Sequence, residues 1–152
     1  KLAKQYNIEI NKSKFKSLYG NGIIEKEKVI LLKPQTYMNL SGTAIKEVMD
    51  FYKINKEELI IIYDDIDIEP GIIKIGTHNG MKSVVNEIKT QDFTRVRVGI
   101  GMPSNKSDLI NYVIGKISKD DIEKLEDGTT KAKDALIEII NYGVDTAMNK
   151  FN

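Results

Sequence analysis

The chain has 152 residues, 41% of them apolar and 30% charged, the composition expected of one soluble α/β-sized domain with a real core. No apolar run approaches the length needed to span a bilayer, no signal-peptide pattern is visible, and the absence of cysteine excludes disulfides and thiolate metal sites, so a reducing, cytoplasmic setting is the default. With 23 basic and 22 acidic residues the net charge is +1, so any nucleic-acid binding must come from a local patch and not from bulk charge.

In chain order, Lys1 to Tyr6 reads as the interior or end of an amphipathic helix, and Asn7 to Lys16 as a polar stretch rich in lysine. Gly20-Asn21-Gly22 is a turn signal. Ile23-Ile24, the charged run Glu25 to Lys28, and Val29 to Leu32 predict a hairpin, stopped at Lys33-Pro34 because proline cannot donate to a ladder. Ser41 is a candidate N-cap for a helix with Ala44, Ile45, Val48, Met49 and Tyr52 on one face. The continuous apolar run Leu59 to Ile62 predicts a strand buried on both faces, as in a parallel sheet covered by helices. A short strand at Ile72 to Ile75 follows the Pro70-Gly71 turn. GTHNG at Gly76 to Gly80 leads into a helix bearing Met81, Val84, Val85 and Ile88. Thr94 to Ile100 alternates Val96, Val98 and Ile100 with Arg95, Arg97 and Gly99, a half-buried strand. Ser118 with Asp121 resembles a capping box for a helical region with a possible break at Gly128, an end at Gly143 and a last short helix over Val144 to Phe151. No repeat, low-complexity tract or internal linker appears, hence one domain.

The stretch after Leu59 holds the chemistry. A buried strand that delivers Asp64 at its C-terminal end is the usual layout of an α/β site, since ligands bind outside the carboxyl ends of the strands; a solvated acidic turn is the bland alternative. Asn39 precedes one helix and Asn79 another. If the strands are parallel, Asn39, Asp64 and Asn79 lie along one sheet edge. A carboxylate can orient an imidazole or polarise water, and carboxamides can donate to a carbonyl and accept from an amide. The set suits hydrolysis of an acyl bond, given a general base. Asn39 and Asn79 also fit a turn residue and an N-cap, and His78, the only histidine, fits a solvated loop. Other motifs fail: Asp65-x-Asp67-x-Glu69 has Pro70 where a calcium loop needs glycine, Gly99-x-Gly101 opens no helix, and Gly76 to Gly80 lacks the Lys-Ser/Thr of a phosphate loop.

TYMNLSG at Thr36 to Gly42, YDDIDIEPG at Tyr63 to Gly71, GTHNGMKS at Gly76 to Ser83 and RVRVGIGMP at Arg95 to Pro103 together resemble the bacterial peptidyl-tRNA hydrolase family, in order and over nearly the whole chain. The resemblance implies a mixed, mostly parallel central sheet flanked by helices. It implies hydrolysis of the ester between a peptide and the 3′ end of tRNA, with no metal and no cofactor, by a cytoplasmic monomer that touches no membrane and holds the acceptor end and phosphates of peptidyl-tRNA. Asp64 matches the aspartate that orients the catalytic histidine. Asn39 and Asn79 match asparagines that contact the peptidyl-tRNA end and the water. Tyr37 and Met38 match the wall beside them, Gly76 and His78 belong to the substrate-binding motif with His78 not the general base, and Lys74 and Arg97 fall near the tRNA phosphate track.

Two departures shape the expectations. The family's first strand, Gly-rich turn and general-base histidine match positions ahead of Lys1, so the true chain is expected to extend upstream. Family members also carry a Gly-rich, basic loop between the positions of Ile75 and Gly76, so these two are expected not to be bonded in the complete molecule. Taken literally, the sequence also allows a catalytically inactive tRNA- or RNA-binding domain, or a small nucleotide-binding α/β domain.

Overall fold

Three strands near the N-terminus, β1 (Lys12–Lys14), β2 (Ser17–Ile24) and β3 (Glu27–Pro34), form an antiparallel meander. The computed structural model describes residues 1–35, 41–77, 82–101 and 119–152. Each turn of the meander has two residues, and all four are left-handed: φ is 57° at Phe15, 51° at Lys16, 49° at Glu25 and 73° at Lys26. Positive φ at both central positions matches the right-handed twist of the flanking strands. The Phe15 ring is buried and holds its turn down, with its centroid 5.6 Å from that of Tyr19, 5.2 Å from Phe51 and 6.1 Å from Tyr52.

The hairpin over Ile23 to Leu32 is as expected, but longer. Gly20-Asn21-Gly22 makes no turn; these residues sit inside β2 opposite Leu31, Ile30 and Val29. The glycines are there because the Ile8–Glu9 segment crosses the sheet: a Cβ on Gly20 would fall on the Glu9 carbonyl oxygen, and one on Gly22 on the Ile8 side chain. A short helix, α1 (Leu2–Gln5), precedes that crossing. Helix α2 (Ser41–Tyr52) turns Ala44, Ile45 and Val48 inward, and Val48 packs with Phe15, Tyr19, Ile30 and Leu32. A 3₁₀ turn at Lys56–Glu58 follows, and α3 (Lys82–Ile88) packs on α2 with Val84 fully buried. Residues 1–60 and 77–94 make one compact unit.

Residues 61–76 and 95–152 make the other. Its sheet runs β4 (Ile60–Asp65), β6 (Thr94–Gly99), β5 (Ile73–Gly76), with β5 antiparallel to β6. Ile75 and Gly76 are consecutive in β5, and the ladder continues to Gly76 opposite Arg95. Helix α4 (Lys119–Tyr142) buries Ala132, Ala135 and Leu136, and α5 (Val144–Phe151) buries Ala147. Gly143 joins them at φ 93°, the expected stop. Gly128 is no break: α4 runs through it, and a Cβ there would meet the Gly71 Cα at 3.5 Å, an ordinary contact, leaving room for no larger side chain on that side. Ser118 lies outside the described residues.

Two expectations about strand burial are corrected. Ile61 is buried, but Ile62 is 47% exposed, so β4 is not covered on both faces. Conversely β6 is more than half-buried: Arg95 is 1% exposed, and Arg97 is the one residue of the strand that stays partly open.

Candidate active site

β4 continues two residues past Tyr63, through Asp64 and Asp65. Side chains alternate along a strand, so Asp64 shares a face with Ile60 and Ile62, and Asp65 shares the other with Ile61 and Tyr63. The two neighbouring carboxylates have different work. Asp65 is structural: its Oδ1 accepts the Asp67 N–H at 2.8 Å, its carbonyl accepts the Ile100 N–H at 3.0 Å, and its Oδ2 lies 3.5 Å from Arg97 Nη1. Asp64 is exposed and makes no hydrogen bond or ion pair with another described residue. Asp64 therefore does not cap the Ile66–Gly71 turn; Asp65 does.

Lys74 on β5 lies directly opposite Arg97 on β6. Cross-strand partners project to the same face, so two cations stand side by side. Both remain open to solvent, Lys74 exposed and the Arg97 side chain 40% accessible. Adjacent like charges in a sheet are unfavourable, and the Asp65 carboxylate beyond Arg97 offsets part of that repulsion. Asp65 of β4 thus meets Arg97 of β6, whose cross-strand partner on β5 is Lys74. Tyr63 stands in the same neighbourhood. Burial pushes its phenol above the ordinary value of 10.0, opposed by the nearby Arg97 and Arg95 charges and reinforced by Asp65.

Gly76 ends β5 with nothing within 4 Å of where a Cβ would stand, so the chain there is open to an approaching ligand. Tyr37, Met38, Asn39, His78 and Asn79 lie outside the described residues. Among the described residues the structure thus brings together Lys74 and Arg97, and leaves the Asp64 side chain without a partner at a strand end. Sequence reading missed the part played by Asp65. The signal for it was present, because Asp65-Ile66-Asp67 has the spacing of a carboxylate that bonds the backbone two residues on.

A protein-family model described as Peptidyl-tRNA hydrolase matches residues 1–152. The peptidyl-tRNA hydrolase of Clostridium novyi (strain NT) is 51% identical over 157 residues, spanning 99% of this chain and 83% of the relative. That of Clostridium botulinum (strain Eklund 17B / Type B) is 48% identical over 157 residues, spanning 99% and 81%. Both alignments run over more positions than the chain has residues, so these relatives carry residues without a counterpart here. The crystal structure of peptidyl-tRNA hydrolase from Acinetobacter baumannii superposes with a TM-score of 0.90 at 32% identity, covering 99% of this chain and 80% of that one. The expected α/β class holds, with parallel and antiparallel strands flanked by helices, and nothing in the comparisons favours the inactive alternative. By its matched length, its relatives and its fold, the chain belongs to the peptidyl-tRNA hydrolase family, enzymes that cleave the ester between peptide and tRNA.

Proposed function

We propose that Asp64 orients the imidazole that acts as general base in this hydrolysis. The observation that carries this is the division of labour at the end of β4: Asp65 holds the turn and the sheet, while Asp64 is exposed and uncommitted. A carboxylate on one imidazole nitrogen fixes the tautomer and leaves the other to take a proton from water. The hydroxide attacks the ester carbonyl, the tetrahedral oxyanion collapses, and the ribose oxygen leaves with the proton returned by the imidazolium. Asn39 and Asn79 supply carboxamide donors and acceptors to the peptidyl end and the water. Tyr37 and Met38 wall the peptide, and Gly76 and His78 complete the substrate-binding motif. Lys74 and Arg97 hold tRNA phosphates, which their side-by-side placement on one face supports. The reading requires no metal and no cofactor and takes the enzyme as a cytoplasmic monomer; among the described residues no helix is long and apolar enough to cross a membrane.

Asp64→Asn tests it on the full-length protein. The change is nearly isosteric and removes the charge that favours the imidazolium. The expected result is a fall in kcat of about 10²-fold or more, a lower pKa for the basic group in the pH–rate profile, and unchanged tRNA affinity. Normal kcat with an unshifted profile overturns the assignment.

A further inference from the structure

We propose that Gly99 is a positioning residue for Asp64, acting through the backbone of the turn that follows β4. The proposal rests on the site reading above, in which Asp64 orients the imidazole. Among the described residues the Asp64 side chain has no partner, so its place is set by the backbone that carries it. That backbone is held one residue on. The Ile100 N–H donates to the Asp65 carbonyl at 3.0 Å, the Gly101 N–H to the Ile68 carbonyl at 2.8 Å and the Gly99 N–H to the Ile72 carbonyl at 2.9 Å. Three consecutive donors at the end of β6 thus hold the start, the middle and the end of the stretch from Asp65 to Ile72. Within that stretch Asp65 Oδ1 accepts the Asp67 N–H at 2.8 Å, and the Ile72 N–H donates to the Glu69 carbonyl at 3.2 Å. All of these residues belong to one compact unit.

The fastening depends on the missing side chain at Gly99. A Cβ there would fall on the Glu69 carbonyl oxygen, and would lie 2.7 Å from both the Ile68 carbonyl oxygen and Ile68 Cγ2. Two of the three obstacles are backbone oxygens, which cannot swing aside as a side-chain end does. Gly99 is not left-handed, unlike Gly71 and Gly101, so what it supplies is room for another backbone and not conformational freedom. With a methyl group at 99 the turn has to lift from β6 by roughly an ångström, and the bond from the Ile100 N–H to the Asp65 carbonyl stretches or breaks with it. Asp64 is the next residue back along the chain. A carboxylate that orients an imidazole works at hydrogen-bond distance, and a misplacement of about 1 Å costs up to about 10²-fold in rate. The Gly99-x-Gly101 pair, which opens no helix, thus has work in holding the end of β4.

The test uses the full-length enzyme with peptidyl-tRNA as substrate. Gly99→Ala is expected to speed exchange of the Ile100 and Gly101 amide hydrogens at least about tenfold. It should lower kcat at least about tenfold with KM no higher, and lower the pKa of the basic group in the pH–rate profile, since the Asp64 charge retreats from the imidazolium. On an Asp64→Asn background the same change should lower kcat much less and shift the profile no further, because two residues acting through one group are not additive. A lower melting temperature with kcat and profile intact, a fall in kcat with an unshifted profile, or additive losses in the double variant overturns the proposal. If Asp64→Asn lowers kcat and shifts the profile while folded Gly99→Ala does neither, the proposal falls and the site reading stands. If Asp64→Asn does neither, the site reading falls and takes the proposal with it. Should Gly99→Ala fail to fold, an ester in place of the Gly99–Ile100 peptide link removes only the N–H that holds the Asp65 carbonyl and adds no bulk. The same shift and a smaller fall in kcat are expected there, and an unaltered kcat and profile overturns the proposal.

Discussion

Replacing Asp65 by asparagine should strengthen tRNA binding. The carboxylate lies 3.5 Å from Arg97 Nη1 and occupies part of the guanidinium that the proposed site offers to a phosphate. A phosphate on the far edge of Arg97 would sit roughly 6–7 Å from Asp65, where two unit charges repel by about 0.8 kcal/mol at an effective dielectric near 60. Removing the charge therefore improves affinity roughly fourfold at low salt. Asparagine keeps an oxygen for the Asp67 N–H, so the turn survives. The ion pair lost is partly exposed, with side chains 40% and 17% accessible, and its removal lowers stability by no more than about 1 kcal/mol. Titration of full-length protein with tRNA at several salt concentrations measures the effect. The gain should fade as salt screens the repulsion. Unchanged or weaker binding at low salt, with the protein folded, refutes the shared-cation account and with it the phosphate role of Arg97.

Lys74→Ala and Arg97→Ala should each weaken binding of all tRNAs alike and reduce the salt slope by about one unit; an unaltered slope removes that residue from the phosphate contacts. Gly128→Ala should leave stability unchanged or raise it by up to about 1 kcal/mol, since a Cβ there meets Gly71 at ordinary contact distance while helix propensity improves; Gly128→Leu should destabilise, and urea unfolding separates the two. Burial holds the Tyr63 phenol neutral beyond its ordinary range, so above about pH 10 the unfolded chain releases that proton first and stability falls as pH rises. Tyr63→Phe should flatten that alkaline decline in urea midpoints, and an identical decline would show that Tyr63 does not contribute to it.

Local signals located the elements whose causes are local. The apolar face from Ala44 to Tyr52 gave α2, although Ser41 is its first helical residue and not the cap before it, and the stop at Gly143 gave the boundary between α4 and α5. What sequence reading misjudged had distant causes. Gly20 and Gly22 look like turn residues, yet they are glycines because Ile8 and Glu9 cross above them. Gly128 looks like a helix break, yet it marks where α4 meets Gly71. β1 escaped notice because Lys12–Lys14 is exposed throughout and has no apolar alternation. Arg95 seemed to face outward by parity, yet it is 1% exposed, and alternation alone carries no signal for what packs on that face. For the site, neither pattern nor spacing distinguishes Asp64 from Asp65. Family resemblance selected Asp64, and the hydrogen bonds of Asp65 supply the physical reason. The Asn152 carboxamide, which accepts the Ile75 N–H at 2.7 Å and donates to the Ile75 carbonyl at 2.9 Å, joins residues 77 positions apart and has no local signature.

The order β4-β6-β5 has a consequence for the nascent chain on the ribosome. The β1–β3 meander can pair as soon as Pro34 has emerged, since each strand follows its partner directly. The second sheet cannot. β4 and β5 emerge first and have no seat beside each other, because the place between them belongs to β6. Until Gly99 appears, both wait with unpaired edges, and at roughly 5–20 residues per second that interval lasts about 1–5 s. For those seconds Ile60 to Ile62 and Ile73 to Ile75 are sticky, unpaired strand segments. Slow codons between Gly76 and Thr94 would lengthen the exposure, and chaperone capture of stalled chains should be greatest there.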